Sequence, residues 1–132
     1  MVFVKANNET PFVVWGEYKK EKAEKNQYLV KENETIVVMI DEINESEYLP
    51  GKKYIVGTLM KVEGVGDKAK VTSLEKQVTM TPTGYLETDF GWNEKCKKDK
   101  VMGVGDIFMA TYRGRDVTKP KQPYMFDYEY WE

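Results

Sequence analysis

Apolar side chains recur along this chain in short bursts, cut by glycines, prolines and charged runs, and most bursts favour β-branched or aromatic types. That pattern predicts strands. FVVWGEY (12–18) is one, bent or bulged at Gly16. QYLV (27–30) is another, reached through KKEKAEKN (19–26), a polar stretch that reads as a loop or hairpin connection. ETIVVMIDEI (34–43) is a strong strand candidate whose length leaves a helix open. KKYIVGTLMKVEGV (52–65) is β-rich and broken by Gly57 and Gly64. In AKVTSLEKQVTMT (69–81) the apolar positions Val71, Leu74, Val78 and Met80 alternate loosely, and the 71/74/78 spacing also suits a helical turn.

The clearest hairpin joins GDIFMATYRG (105–114) to PYMFDYEYW (123–131) through the loop RDVTKPKQ, where Pro120 and Pro123 suit loop and strand-start positions. In the second arm Tyr124, Phe126, Tyr128 and Tyr130 share one face, while Met125, Asp127, Glu129 and Trp131 share the other. The aromatic face is expected inward. PTG (82–84) signals a turn, and residues 84–103 have the weakest pattern, with a short helix expected near 94–101. Five or six short strands, with glycines inside them, predict an all-β fold, a small β-barrel or a sandwich.

Composition narrows the chemistry more than the fold. A chain of 132 residues with 41% hydrophobic content suits one domain, 1–132, with its own core. No apolar run approaches the 18 residues of a membrane span, and the N-terminus lacks the apolar stretch of a secretion signal. Cys96 is the lone cysteine, so no internal disulfide forms, and a cytoplasmic location is expected. Histidine is absent, which removes Ser-His-Asp and Cys-His catalysis and the usual zinc sites. GVGD at 64–67 and at 103–106 reads as a turn each time, not as a nucleotide fingerprint. Neither an enzyme, a cofactor nor a metal is expected.

The formal net charge of −2 conceals blocks of opposite sign. Residues 32–50 hold six acids and no base, and the last eleven residues hold three acids and no base. Residues 51–80 set six bases against three acids, and residues 94–121 set eight against four. Such alternation allows a local surface for an anionic ligand, or simply a solvated exterior.

Within the basic blocks, aromatics interleave with cations. Trp15, Tyr18 and Tyr28 surround Lys19, Lys20, Lys22 and Lys25. Tyr112 and Tyr124 surround Arg113, Arg115, Lys119 and Lys121, and Tyr54 adds another ring. Single-stranded nucleic acid requires this combination, a basic groove for phosphates and aromatic faces for bases. The same rings could instead fill the core. KCKKDK (95–100) is either a phosphate patch or a solvated loop.

The segment GVGDIFMATYRGRDVTKPKQPYMFDYEYWE carries a family resemblance. A Gly-Asp turn enters a strand ending in an aromatic, a basic residue and glycine; a lysine-rich loop and an aromatic-acidic strand follow. It resembles the C-terminal hairpin of small bacteriophage single-stranded DNA-binding proteins with an OB fold, most of all those of lactic-acid-bacteria phages. Tyr112, Arg113 and Arg115 match the end of the strand, and Lys119 and Lys121 match the loop. The resemblance covers about 30 residues and lacks the long acidic tail of bacterial relatives. It implies an OB barrel, single-stranded DNA binding in phage replication or recombination, and frequently a dimer. Partners would be single-stranded DNA, a second copy and phage recombination or replication proteins in the host cytoplasm, with no membrane. The alternative is a structural or assembly protein of a phage particle, with the aromatics forming a protein–protein interface.

Overall fold

The computed structural model describes residues 10–16, 26–47, 50–64, 68–96 and 98–131. Among these residues seven strands run β1 (Phe12–Trp15), β2 (Gln27–Val30), β3 (Thr35–Glu45), β4 (Lys53–Glu63), β5 (Lys70–Met80), β6 (Ile107–Arg115) and β7 (Tyr124–Trp131), with one short helix, α1 (Tyr85–Asp89), between β5 and β6. They form one sheet in the order β2-β1-β5-β4-β3-β6-β7. The fold is mostly β, as the periodicity predicts.

One face of the sheet makes the core. Alternation places Ile36, Val38 and Ile40 of β3 inside, with Ile55 and Leu59 of β4 and Phe108, Ala110 and Tyr112 of β6. Val13 and Trp15, Val30, Val78 and Met80 complete the sheet's share, while Leu86, Phe90 and Met102 close one side. Each buried Val, Ile, Leu, Met or Phe among them contributes on the order of 1.5–3 kcal/mol by leaving water. The aromatic face of β7 packs against this core through Tyr124, Phe126 and Tyr128, as its alternation requires, whereas Tyr130 is exposed.

The sheet is strongly coiled. Trp15 on β1 and Phe126 on β7 lie five strand spacings apart in the order, which in a flat sheet is about 24 Å. Their ring centroids are 4.7 Å apart. Bulges supply the coiling. The β3–β4 register slips between Ile40 and Glu42, leaving Asp41 as the extra residue beside Gly57. A second slip falls between Tyr112 and Arg115 of β6, around Gly114 at φ +90°. Although the margins share one core, no ladder joins β2 to β7 among the described residues, so the sheet is not closed.

Several local expectations change. β1 and β2 pair in parallel, Phe12 opposite Gln27 through Trp15 opposite Val30, which no tight hairpin can produce. The helix lies at 85–89 and not near 94–101, where the described residues form turns and bends. Its only buried position is Leu86, too little for a helical period to show. The doubtful 71/74/78 spacing belongs to strand β5. Between Thr58 and Met60 of β4 the partners jump from Gln77 to Ser73, so β5 carries extra residues at 74–76. Glu75 adopts φ +55° there, and its N–H donates to Ser73 Oγ at 2.9 Å. The bulge resets the alternation and leaves Leu74 exposed. Residues 103–106 form the expected turn, with Asp106 N–H bonded to Gly103 O at 3.1 Å. Gly64 is described but 65–67 lie outside the described residues.

Candidate nucleic-acid interface

The β6–β7 connection is built from its first residue. Asp116 Oδ1 accepts the Thr118 N–H at 3.0 Å and also the Thr118 hydroxyl, closing a tight turn. Its Oδ2 accepts the Tyr85 hydroxyl at 2.7 Å, fastening the loop to the start of α1. The Thr118 hydroxyl, Tyr85 and the Thr118 N–H together hold the Asp116 carboxyl below its ordinary range. The same bond, with the Asp116 charge, raises the Tyr85 phenol. Asp116 N–H reaches Pro123 O at 2.8 Å and Gln122 N–H reaches Lys119 O at 3.0 Å, so the loop is fixed at both ends. Lys119 and Lys121 project from it exposed.

The bulge at Gly114 divides the two arginines between the faces of the sheet. Arg113 turns to the outer face, where its Nε donates to Asp127 Oδ2 at 2.7 Å and its Nη1 to Asn33 Oδ1 at 2.9 Å. Arg115 turns to the aromatic face, with its guanidinium carbon 4.9 Å from the Tyr124 ring centroid and Nη2 donating to the Tyr124 hydroxyl at 3.2 Å. Tyr124 in turn packs edge-on against Tyr112, with centroids 5.7 Å apart. A cation stacked on an aromatic, beside a loop with two exposed ammonium groups, can hold phosphates and offer a ring edge to a base.

The other expected residues scatter. Trp15 and Tyr112 are 8% and 4% exposed, and both belong to the core. They correct the expectation of stacking surfaces: Trp15 packs on Phe126, and Tyr112 packs between Trp15 and Tyr124. Tyr28 is half-buried on β2 with the Lys76 ammonium 5.3 Å from its ring centroid. Tyr54 is half-buried on β4 opposite Asn44. Tyr18, Lys19, Lys20, Lys22 and Lys25 lie outside the described residues. The structure therefore stacks Arg115 on Tyr124 at the base of the loop that carries the exposed Lys119 and Lys121, and leaves Arg113 tied to an acid.

Of the stretch after α1, the sequence singles out KCKKDK (95–100) but not Trp92. Lys52 Nζ pairs with Glu87 at 3.0 Å, joining the β3–β4 loop to α1, as Tyr85 joins the β6–β7 loop. Burial pushes the Asp89 carboxyl up, with Lys98 opposing it. Burial also raises the Tyr128 phenol, whose oxygen has no hydrogen-bond partner among the described residues. The signal that could have directed attention here is a tryptophan in GWNEKCKKDK, an aromatic leading a lysine run. No family model, curated protein or solved structure matches this chain.

Proposed function

We propose that this protein is an OB-type barrel that binds single-stranded DNA with little sequence preference, in bacteriophage replication or recombination within the host cytoplasm. The observation that carries the reading is Arg115 stacked on Tyr124 beside the exposed Lys119 and Lys121. The order β5-β4-β3-β6-β7, with α1 between the third and fourth of these strands along the chain, supports it. A five-stranded, partly open OB barrel has that arrangement, and it binds oligonucleotides with its second and third strands and the loops after its first and fourth. Here those loops are the β3–β4 and β6–β7 connections, which are fastened to α1 through Lys52 on Glu87 and Asp116 on Tyr85. Contacts to phosphate and to ring faces carry little base information, which accounts for the low sequence preference.

The test is a mobility-shift titration with a long oligo-dT across salt concentrations. Affinity is expected to fall linearly on a log–log plot, losing about 0.7 in slope for each phosphate-contacting cation removed from the loop. Arg115→Ala, Lys119→Ala and Lys121→Ala are each expected to show this change. Absence of any shift at low salt ends the reading.

A second reading, an assembly protein of a phage particle, is favoured by one specific surface. Met39 stands opposite Ile107, and Ile107 opposite Trp131; Val37 stands opposite Met109. These five half-exposed side chains lie on the outer face and take no part in the core cluster. Light scattering after size exclusion, with and without oligo-dT, separates the readings: a stable oligomer indifferent to DNA and salt selects the second.

A further inference from the structure

The segment after α1 is built on an aromatic pair beside a cleft. Phe90 is fully buried and anchors it, packing edge-to-face on Trp92 with centroids 5.1 Å apart. The Trp92 indole N–H donates to Met102 O at 3.0 Å, which fixes the ring's orientation. With one edge tied and Phe90 against it, Trp92 is still half-exposed and lines an open cleft of about 440 Å³ with Gly91, Asn93, Glu94, Lys98 and Val101. Gly91 adopts φ +78°, and a β-carbon there would stand 2.6 Å from Lys100 O, so the chain is folded tightly behind the cleft. The Lys53 ammonium stands 5.7 Å from the Trp92 ring centroid.

We propose that this cleft holds one nucleobase of a bound single strand, stacked on Trp92, with Lys53 and Lys98 on the flanking phosphates. The inference rests on the single-stranded DNA reading above and adds a site to it. A tryptophan held rigid by a hydrogen bond at one edge loses little entropy when a base stacks on it, which is what makes such a ring an effective platform. A volume of this size admits a nucleotide. Lys53 and Lys98 offset the one lining carboxylate, Glu94, and Asp89 beside Lys98, so that the surround does not repel a phosphate. The site also lies within reach of the β6–β7 loop. Tyr85, at the start of α1, is bonded to that loop through Asp116, and a five-residue helix spans only about 8 Å. Glu87, on the way between them, is neutralised by Lys52.

The experiment compares oligo-dT binding by the wild type, Trp92→Ala, Trp92→Phe and Lys98→Ala, with thermal melts confirming the fold. Emission is followed in a Trp131→Phe background, where Trp92 is the only half-exposed indole, since Trp15 is buried. The expected results are marked quenching of Trp92 at saturation and about tenfold weaker binding by Trp92→Ala with an unchanged salt slope. Trp92→Phe should stay within about threefold of wild type, and Lys98→Ala should lose about 0.7 in slope. If wild type binds but Trp92 emission is undiminished, or Trp92→Ala binds within about twofold, the cleft is overturned and the loop reading stands. Should Trp92→Ala fail to fold, the emission measurement alone decides. If wild type does not bind at all, both fall together.

Discussion

Gly57 has no room for a β-carbon. Built there, it would meet Val38 Cγ1 and sit 2.9 Å from Met39 O, on the buried face where the Asp41 bulge forces β3 and β4 together. Gly57→Ala is expected to destabilise the fold by about 1–3 kcal/mol, as overpacking does, read as a lower urea midpoint with unchanged slope. Tyr128 presents the opposite case. Its hydroxyl is buried without a partner among the described residues, although its ring packs on Phe90 and Phe108. Removing an unsatisfied buried oxygen relieves its desolvation cost, so Tyr128→Phe should stabilise by about 1 kcal/mol, visible as a raised melting temperature. Single residues also show where sequence reading stops. Trp15 and Tyr112 have the chemistry of stacking residues, but they serve the core; an aromatic looks the same in both roles until the coil of the sheet decides which face it meets.

At the scale of elements, the strands were readable because a period of two survives in β3, β4, β6 and β7. The parallel pairing of β1 with β2, and of β1 with β5, was not, since neither depends on a local turn. The bulge at Glu75 erased the period of β5, and α1 was too short to have one. The turn entering β6 offers a pH test. Burial disfavours the charged Asp106 carboxyl, yet the Gly103 N–H at 2.8 Å and the Lys100 ammonium at 3.0 Å outweigh it and hold its pKa below 3.8. A carboxyl held low stabilises the fold at pH above its unfolded value, and that contribution is lost as pH falls through the folded value. The urea midpoint should therefore fall as pH drops below about 4, and Asp106→Asn should flatten that part of the profile. An unchanged profile in the variant would show that the turn is not a source of acid sensitivity.

Across the whole molecule, the strand order redistributes the charge blocks. The acidic 32–50 stretch becomes β3 and its flanks, the acidic end becomes β7, and β6 lies between them. At the end of β6 this sets Glu32 against Gly114 and Asp127 on Arg113, an acidic wing, while Asp41, Glu42 and Glu45 lie beyond the β3–β6 pairing. This gathering was invisible along the chain, because β3 and β7 are neighbours only through β6. For a protein of net charge −2 to bind a polyanion, its cations must act locally and the acidic wing must oppose them. Asp127→Asn removes one opposing charge and releases Arg113, whose partner is 62% exposed at the side chain and so contributes little to the fold. Affinity for oligo-dT should rise about twofold to fivefold at low salt, and the gain should vanish near 1 M salt, where charges are screened within about 3 Å. Equal affinity at low salt would place the DNA path away from the outer face of β7 and confine it to the Tyr124 side of the loop and to Trp92. A variant that instead altered oligomeric state without any DNA affinity would transfer the acidic wing, together with the Met39–Ile107–Trp131 row, to the assembly reading.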